Sequence, residues 1–185
     1  MILSFHSSAE FRKWLTAQRD ASEGIWLRIF KKDSGTQSIT YAEALDEALC
    51  FGWIDGQKKP HDALSWLQKF TRRRARSGWS KINTGHAERL LRAGRMRAPG
   101  LAEIEAAKKD GRWNAAYDSP RNATFPEDFL AALSKDPKAK AFFDSLNKAN
   151  RYAISYRLQT AKKAETRQRR METILGMLAR GEAFH

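Results

Sequence analysis

The spacing of the apolar residues is mixed in the first part of the chain and helical in the rest, and this division constrains the fold more than any other feature. Between Gly24 and Phe70, short segments rich in β-branched and aromatic residues, which favour strands, occur among helical repeats. After residue 78 the apolar spacing is helical throughout. This order predicts an α+β fold: a small antiparallel sheet of about three strands in the N-terminal half, packed with helices, followed by a helical C-terminal half.

Two segments of the N-terminal half carry the start signals of helices. Ser7 and Glu10 have the spacing of a capping box, as do Thr40 and Glu43, and in such a box two side chains satisfy backbone donors at the helix start. The first box predicts a short helix near 8–19. The second predicts a helix whose apolar face consists of Tyr41, Ala44, Leu45, Ala48 and Leu49.

Three segments are predicted to be strands, namely residues 25–30, 53–59 and 64–70. The first is apolar at nearly every position, which indicates a strand buried largely on both faces. The second and third are expected to turn around Pro60–Ala63, where proline and aspartate favour a turn. A tight turn at Asp55–Gly56 is the alternative.

The second half contains several helix boundaries. Pro99 suits the first turn of a helix that stops at Gly111. Asp136 and Pro137 have the pattern of a cap followed by a first turn. The last helix gives the clearest signal, because its apolar stripe is followed by Gly181, a typical helix end. That stripe consists of Met171, Ile174, Leu175 and Leu178.

The loop Asp118–Thr124 is the best candidate for a boundary within the chain. It separates residues 1–117, an α+β core that carries an aromatic and basic segment, from residues 118–185, a helical region expected to pack on the same core. A chain of 185 residues buries roughly 70% of the surface that its unfolded form exposes, so it needs no disulfide or metal to fold.

The charge of the chain is strongly positive. It has 34 Lys and Arg against 21 Asp and Glu, a net charge of +13. Such a field attracts polyanions and acidic surfaces, so the predicted partners are an anionic small molecule or a polyanion such as nucleic acid. Cys50 is the single cysteine, which excludes an intramolecular disulfide and fits a reducing compartment. We see no signal-peptide pattern and no apolar run near the ~20 residues that span a bilayer, and we expect a cytoplasmic protein.

Four blocks of sequence follow one another in the order of a known family. The first is the run Glu43–Gly56, and the last is the stretch from Asn150 to Arg170. Between them lie Phe70-Thr71, Arg73-Arg74 and Ser77–Asn83, and then Gly111-Arg112-Trp113 with Ala116-Tyr117. On these blocks the chain resembles the YdeI/OmpD-associated family, from about Phe11 to Gly181.

The resemblance implies a bacterial stress or protection protein. Members of that family are named for protection against bacteriocins or cationic antimicrobial peptides and for association with an outer-membrane porin. No established catalytic residues come with the family. The chain departs from its pattern at Arg72, where a proline often follows the threonine, and this gives the turn an extra charge and a freer backbone.

The segment from Trp53 to Asn83 concentrates the candidate ligand-binding residues. They are Trp53, Asp55, Lys58, Arg73, Arg74, Trp79, Ser80 and Asn83. Aromatic faces beside Arg and Lys fit a planar or phosphorylated ligand, because the ring stacks and guanidinium binds oxyanions in bidentate fashion. On a helix, Trp79 and Asn83 would share a face. The alternative interpretation is that the tryptophans are core residues and that Asp55 pairs with an arginine.

Two basic stretches are candidates for binding nucleic acid. Residues 69–97 contain ten Lys or Arg and one acid, and residues 148–180 contain nine basic and two acidic residues. Phosphate contacts would give them salt-dependent affinity. The candidate contacts are Arg72, Arg76, Lys81, Lys162, Lys163, Arg167 and Arg170. The alternative is a solvated helical face, and the sequence contains no recognised nucleic-acid-reading module.

Catalytic and metal signals are weak. Cys50 lies beside an apolar helical stripe, which favours a buried, inert thiol over a nucleophile. The histidines lack metal-ligand spacing, so we predict neither a zinc site nor a cofactor. His61 beside Asp62 fits a polar turn better than a general base. An enzyme acting on a phosphorylated substrate, with Asp55 as acid or base, is the third hypothesis, after non-enzymatic binding of an anion and nucleic-acid binding.

Overall fold

The computed structural model describes residues 1–18 and 23–185. Its strands are β1 (Ile2–Leu3), β2 (Ile25–Phe30), β3 (Trp53–Pro60) and β4 (Ser65–Arg72). Its helices in the first 113 residues are α1 (Ser8–Ala17), α2 (Tyr41–Cys50), α3 (Lys81–Arg92) and α4 (Ala98–Lys109). The later helices are α5 (Glu127–Leu133), α6 (Pro137–Ser145), α7 (Lys148–Gln159) and α8 (Ala164–Ala179). This order confirms the predicted α+β fold with a helical C-terminal half.

The chain forms two compact units. Unit 1 comprises Met1–Ser77 and Thr84–Trp113, and unit 2 comprises Gly78–Asn83 and Asn114–His185. Unit 1 contains the sheet, and α5 to α8 belong to unit 2. That residues 118–185 pack on the same core as residues 1–117 stays a prediction. Among the described residues, no helix has the length and the apolar character needed to cross a membrane.

The sheet has the strand order β1-β2-β4-β3. Strands β2, β4 and β3 are antiparallel, and the short β1 adds a parallel edge beside β2, so the sheet is mixed and has four strands. Strand β3 continues to Pro60, which confirms the predicted turn around Pro60–Ala63. The alternative turn at Asp55–Gly56 is wrong: the pairing with β4 shifts register between Asp55 and Lys58 instead.

The two faces of the sheet differ. In β2, burial alternates along the strand, so Ile25 and Leu27 are buried whereas Trp26 and Arg28 are partly exposed. The expectation that this strand is buried on both faces is therefore wrong. The inner face is covered by helices, since the ring centroids of Phe11 on α1 and Phe70 on β4 lie 5.9 Å apart. The outer face carries the partly exposed Trp26, Arg28 and Lys69 together with the buried Leu67 and Ser65.

The capping boxes determine where α1 and α2 begin. Thr40 accepts from the backbone of Glu43, and the Glu43 carboxylate accepts from the backbone N–H of Thr40, so the second box is complete. In the first box Ser7 accepts from the Glu10 backbone, but the Glu10 carboxylate accepts from the N–H of His6. Helix α1 ends at Ala17; the last residue of the predicted helix, residue 19, lies outside the described residues.

A buried carboxylate joins three parts of unit 1. Glu47 on α2 is 1% exposed, and its side chain accepts two hydrogen bonds from Arg12 on α1, at 2.8 and 2.6 Å. It accepts a third, at 2.6 Å, from Arg95. The neighbouring Asp46 accepts from Arg89 on α3 at 2.6 Å. A carboxylate is stable in this setting because charged donors replace its lost hydration.

Helix α4 approaches the end of α2 closely. A Cβ atom at Gly100 would overlap the backbone carbonyl oxygens of Leu49 and Cys50. Only glycine therefore permits this contact between the helices. Pro99 lies in the first turn of α4, as predicted.

Unit 2 has its own apolar core. Phe129, Phe143 and Ile154 are among its buried residues, and the predicted stripe of α8 contributes Met171, Ile174 and Leu178. Leu175 is only partly buried against that cluster. Asp136 accepts hydrogen bonds from the backbones of Lys138 and Ala139, so the predicted cap of α6 is confirmed.

We expect Glu47→Gln to lower the free energy of unfolding by about 2 kcal/mol, because hydrogen bonds to charged groups contribute about that much and two arginines lose their counter-charge. Urea denaturation measures the change. The matched control is Glu105→Gln on α4, whose exposed side chain should tolerate the same substitution within ~0.5 kcal/mol. Equal effects of the two substitutions would contradict a structural role for the buried carboxylate.

Candidate basic pocket at the end of strand β4

A pocket of about 640 Å³ lies where β4 ends in unit 1. Of its six described lining residues, four are cations and one is an acid. The lining residues are Glu23, Lys69, Thr71, Arg72, Arg73 and Arg74. Its volume falls within the range of small-molecule sites, and its donors are of the kind that bind oxyanions.

The strand alternation explains why these side chains lie together. Lys69 pairs with Trp26 in the antiparallel register, so both belong to the outer face, and Thr71 follows on the same face. Gly56 lies close to Lys69, because a Cβ there would be 3.6 Å from the Lys69 Cβ. Beyond the strand, the N–H of Arg73 donates to the carbonyl of Gly52 at 3.0 Å. This hydrogen bond fixes the backbone of the segment that carries the arginines.

The arginines of the pocket have different environments. Arg72 donates from Nη2 to the backbone carbonyl of Gln18, and its buried Nε has no hydrogen-bond partner among the described residues. Arg73 is 6% exposed. Arg74 is exposed and extends the positive charge to the solvent side. The pocket therefore contains both a buried and an exposed guanidinium.

Trp26 is a neighbouring aromatic group that the sequence interpretation missed. The Nζ atom of Lys59 lies 4.2 Å from the Trp26 ring centroid, and that of Lys69 lies 5.5 Å away. Such ammonium groups are attracted to the ring face. In the sequence Trp26 is part of an apolar strand. The only sign that it is partly exposed is the strand alternation, which places it on the face opposite to Ile25 and Leu27.

The structure separates the predicted ligand residues. Of these, only Arg73 and Arg74 line the pocket. Trp53 and Trp79 are 1% and 2% exposed. The Nζ of Lys58 lies 4.2 Å from the ring centroid of Trp66, a residue paired with Ile29 on the inner face.

Asp55 has a tyrosine as its partner. It accepts a hydrogen bond of 2.8 Å from the hydroxyl of Tyr41 on α2. Burial, together with this hydrogen bond and the carboxylate charge, raises the pKa of Tyr41 above its usual range. The hydroxyl therefore stays protonated and holds Asp55 at the inner side of the sheet.

Ser80 and Asn83 belong to unit 2. Ser80 accepts a hydrogen bond from the backbone of Asn83 at 3.2 Å, at the start of α3. Because α3 begins at Lys81, Trp79 precedes the helix, and the expectation that Trp79 and Asn83 share a helical face is wrong.

Several of the candidate nucleic-acid contacts are engaged within the fold. Arg167 binds Asp128 through two hydrogen bonds of 2.6 and 2.7 Å, and Arg170 donates to the carbonyl of Arg157 at 2.8 Å. Lys81 forms an ion pair of 2.7 Å with Asp118. The exposed members of the set are Arg76, Lys81, Lys162 and Lys163.

Asp118 is the centre of a polar network in unit 2. It is 4% exposed and accepts from Lys81, from Thr124 and from Gln159. Burial alone would raise the pKa of Asp118, but these hydrogen bonds outweigh it and lower the pKa well below the usual range. The network fixes the loop in which this residue lies.

Cys50 is buried, as predicted, at the end of α2. Burial, together with the nearby carboxylates of Glu47 and Asp46, raises the pKa of its thiol to about 11. The thiolate form is therefore scarce near neutral pH. Among the described residues, no group of three or more His, Cys, Asp or Glu side chains is arranged to hold a metal ion.

Two family models match successive parts of this chain. One, described as a domain of unknown function (DUF8412), matches residues 3–103, more than half of the chain. The other, described as bacteriocin-protection, YdeI or OmpD-associated, matches residues 122–181. The chain belongs to the DUF8412 family and carries a YdeI/OmpD-associated domain. No curated protein and no solved structure gives a significant match.

The family matches confirm the resemblance and show that the blocks that carry it do not all lie in one domain. Of the blocks that carried the resemblance, only Asn150–Arg170 lies within the YdeI/OmpD-associated domain. The blocks between Glu43 and Asn83 lie in the DUF8412 domain, and so does the basic pocket. Asp118 lies between the two matched segments, and Cys50 lies in the DUF8412 domain.

We expect Asp118→Asn to destabilise the protein at neutral pH and the deficit to shrink as the pH falls below about 4. The sign follows from the lowered pKa: the carboxylate stabilises the folded state above its unfolded pKa and loses that contribution as it protonates. Thermal melts across pH 2 to 7 measure it. Asp144→Asn on α6, an exposed residue paired only with Lys140, is the control. A deficit that does not change with pH would contradict the assignment.

We expect Cys50 to resist thiol reagents in the folded DUF8412 domain and to react fully in denaturant. The physical reason is its burial and its raised thiol pKa. Labelling with Ellman's reagent at about pH 8 measures the reaction. An Ala102→Cys variant, with its thiol exposed on α4, should add one rapidly reacting group per chain. Rapid labelling of Cys50 in the unmodified protein would contradict its burial.

Proposed function

We propose that the DUF8412 domain binds a small ligand bearing a phosphate or similar oxyanion in the basic pocket at the end of β4. The single observation that carries this proposal is the convergence of Lys69 and three successive arginines on one pocket, in which Glu23 is the only acid among the described lining residues. Like charges repel, so this arrangement is stabilised when an anion is bound. Guanidinium groups suit a phosphate because they donate in bidentate geometry.

The neighbouring tryptophan extends the proposed site. Trp26 lies on the same sheet face as Lys69, and its ring is partly exposed. A ligand with a planar group beside its phosphate would gain a stacking surface there. This favours a nucleotide or an aromatic phosphate over inorganic phosphate.

We further propose that the protein acts by binding and not by catalysis. The pocket supplies hydrogen-bond donors, whereas the proposed acid or base Asp55 is held by Tyr41 on the inner side of the sheet. The matching domain is described by bacteriocin protection and by association with OmpD. The proposed function is therefore to bind an anionic ligand or partner, and this binding contributes to such a protective role.

A small ligand is favoured over nucleic acid by the contacts of the basic residues. Arg167 and Arg170 are used in the packing of unit 2, and Lys81 pairs with Asp118. A polyanion needs a track of available cations. In the basic pocket, by contrast, the cations lie close together at one place, which suits a small ligand.

Calorimetric titration of the full chain with adenosine monophosphate, inorganic phosphate and a single-stranded oligonucleotide tests the proposal. We expect the mononucleotide to bind the native protein and to weaken at least about tenfold in the Lys69→Ala and Arg74→Ala variants, a loss of about 1.4 kcal/mol. Arg92→Ala is the charge-matched control, because this exposed arginine on α3 lies outside the pocket.

The salt dependence separates the alternatives. Binding of the mononucleotide should weaken only modestly between about 50 and 200 mM salt, because few phosphate charges are neutralised. Binding of the oligonucleotide alone, with a steep salt dependence, would favour the nucleic-acid hypothesis. Equal losses in the pocket variants and in Arg92→Ala would show that only net charge matters and would overturn the pocket.

A further inference from the structure

Helix α7 turns a mixed aromatic and basic face away from the core of unit 2. Its buried face carries Ile154 and Leu158, which belong to the apolar core cluster. The other face carries residues at positions that recur every four residues along the helix, so they form one continuous surface. These residues are Lys148, Ala149, Tyr152, Ala153, Tyr156 and Arg157.

This face forms one wall of a groove of about 740 Å³. Pro120 and Arg121, from the loop that precedes α5, form part of its lining on the other side. A smaller recess of about 190 Å³ continues from it, because both share Arg121, Lys148 and Tyr152. The volume is that of a site for a small organic molecule.

The groove is held in shape by contacts of Asn150 and Phe184 with the lining residues Arg157 and His185. Asn150, which is 3% exposed, accepts at Oδ1 from the backbones of Phe184 and His185, each at 3.0 Å. Its Nδ2 donates to the His185 carbonyl at 3.2 Å. The Arg157 guanidinium lies 3.9 Å from the Phe184 ring centroid. These contacts close the groove at His185.

The interior of the groove is suited to a flat apolar group. Ala149 and Ala153 lie one turn apart and leave room between the helix and the opposite side. Tyr156 is 39% exposed, and its ring packs edge-on against Tyr117, with 5.0 Å between centroids. The Tyr152 ring lies 5.9 Å from that of Tyr156. Rings arranged in this way can add another aromatic partner in offset or edge-on geometry.

The rim of the groove is cationic. Arg121 and Lys148 are exposed and line both the groove and the recess, and Arg151 lines the recess. Among the residues that the structure describes, those that line the groove and the recess include no Asp or Glu. Burial, with the neighbouring Tyr117 and Tyr156, raises the pKa of Tyr152 to about 12, so its hydroxyl stays protonated and can donate a hydrogen bond.

We propose that this groove in the YdeI/OmpD-associated domain is a second binding site, for a small amphipathic anion made of an aromatic ring and a single carboxylate. The ring lies along Ala149 and Ala153 against the tyrosines, and the carboxylate binds at Arg121 and Lys148. Charge complementarity and the small residues carry this assignment. It is independent of the basic pocket of unit 1, because the two sites share no residue.

Calorimetric titration of the full chain with 1-naphthoate tests the proposal. Two comparison ligands dissect it: 1-naphthalenemethanol has the ring without the charge, and acetate has the charge without the ring. We expect naphthoate to bind at least about tenfold more tightly than either, because each lacks one of the two interactions. Decanoate, an anion with an acyl chain in place of the ring, should also bind more weakly than naphthoate.

Three variants locate the site. Ala149→Phe fills the groove from an exposed helix position and should abolish binding of naphthoate. The double variant Arg121→Ala and Lys148→Ala should weaken it at least about tenfold by removing the rim charge. Lys138→Ala on α6, an exposed lysine of unit 2 outside the groove, is the control and should bind as the parent does. Circular dichroism and thermal melts show that each variant is folded.

Several outcomes would overturn the proposal. They are an absence of naphthoate binding at millimolar concentration, unchanged binding in a folded Ala149→Phe variant, and tighter binding of decanoate than of naphthoate. Loss of naphthoate binding in Arg74→Ala would place the ligand in the unit 1 pocket and would also overturn it. Failure of the mononucleotide to bind that pocket leaves these outcomes unaffected, so the two proposals can fail separately.

Discussion

The two-sided character of the sheet is the constraint on which unit 1 depends. Side chains alternate across β2 and β4, so one set packs against α1 and α2, whereas Trp26, Arg28 and Lys69 of the other set stay partly exposed. The inner set is mostly apolar and aromatic, with the buried Gln68 as a polar member, and it provides the core. The outer set can therefore carry lysines and a tryptophan without disturbing that core. A slip of one residue in the register would exchange the two sets and bury charges, which fixes the pairing.

The fold class could be predicted from the sequence because its signals are local. A capping box, an apolar period and a proline in a first turn each specify an element within a few residues, and Thr40, Pro99 and Asp136 lie where they were expected. Strand β1 was missed because its two residues, Ile2 and Leu3, are too few to show an alternation. Its pairing with β2 depends on contacts between residues distant in the sequence.

The details of the candidate sites were less accessible to sequence reasoning. Arg73 and Arg74 were identified because they stand side by side with other cations, whereas burial decided the environment of Trp53 and Trp79. Charge and aromatic character alone do not show on which face of a strand a residue lies. The groove of unit 2 was missed for a different reason: its parts come from the loop at 120–121, from α7 and from His185. No short motif contains that combination.

The positive charge has two physical roles in this protein. Some cations neutralise carboxylates inside the fold, as Arg12 and Arg95 do at Glu47 and Arg167 does at Asp128. These contacts hold the elements of each unit together and use part of the positive charge within the fold. The excess that remains attracts anions generally, but salt screens such attraction beyond about 8 Å under physiological conditions. Selectivity therefore depends on recesses where cations, rings and space coincide. The pocket beside Trp26 and the groove along α7 combine these features.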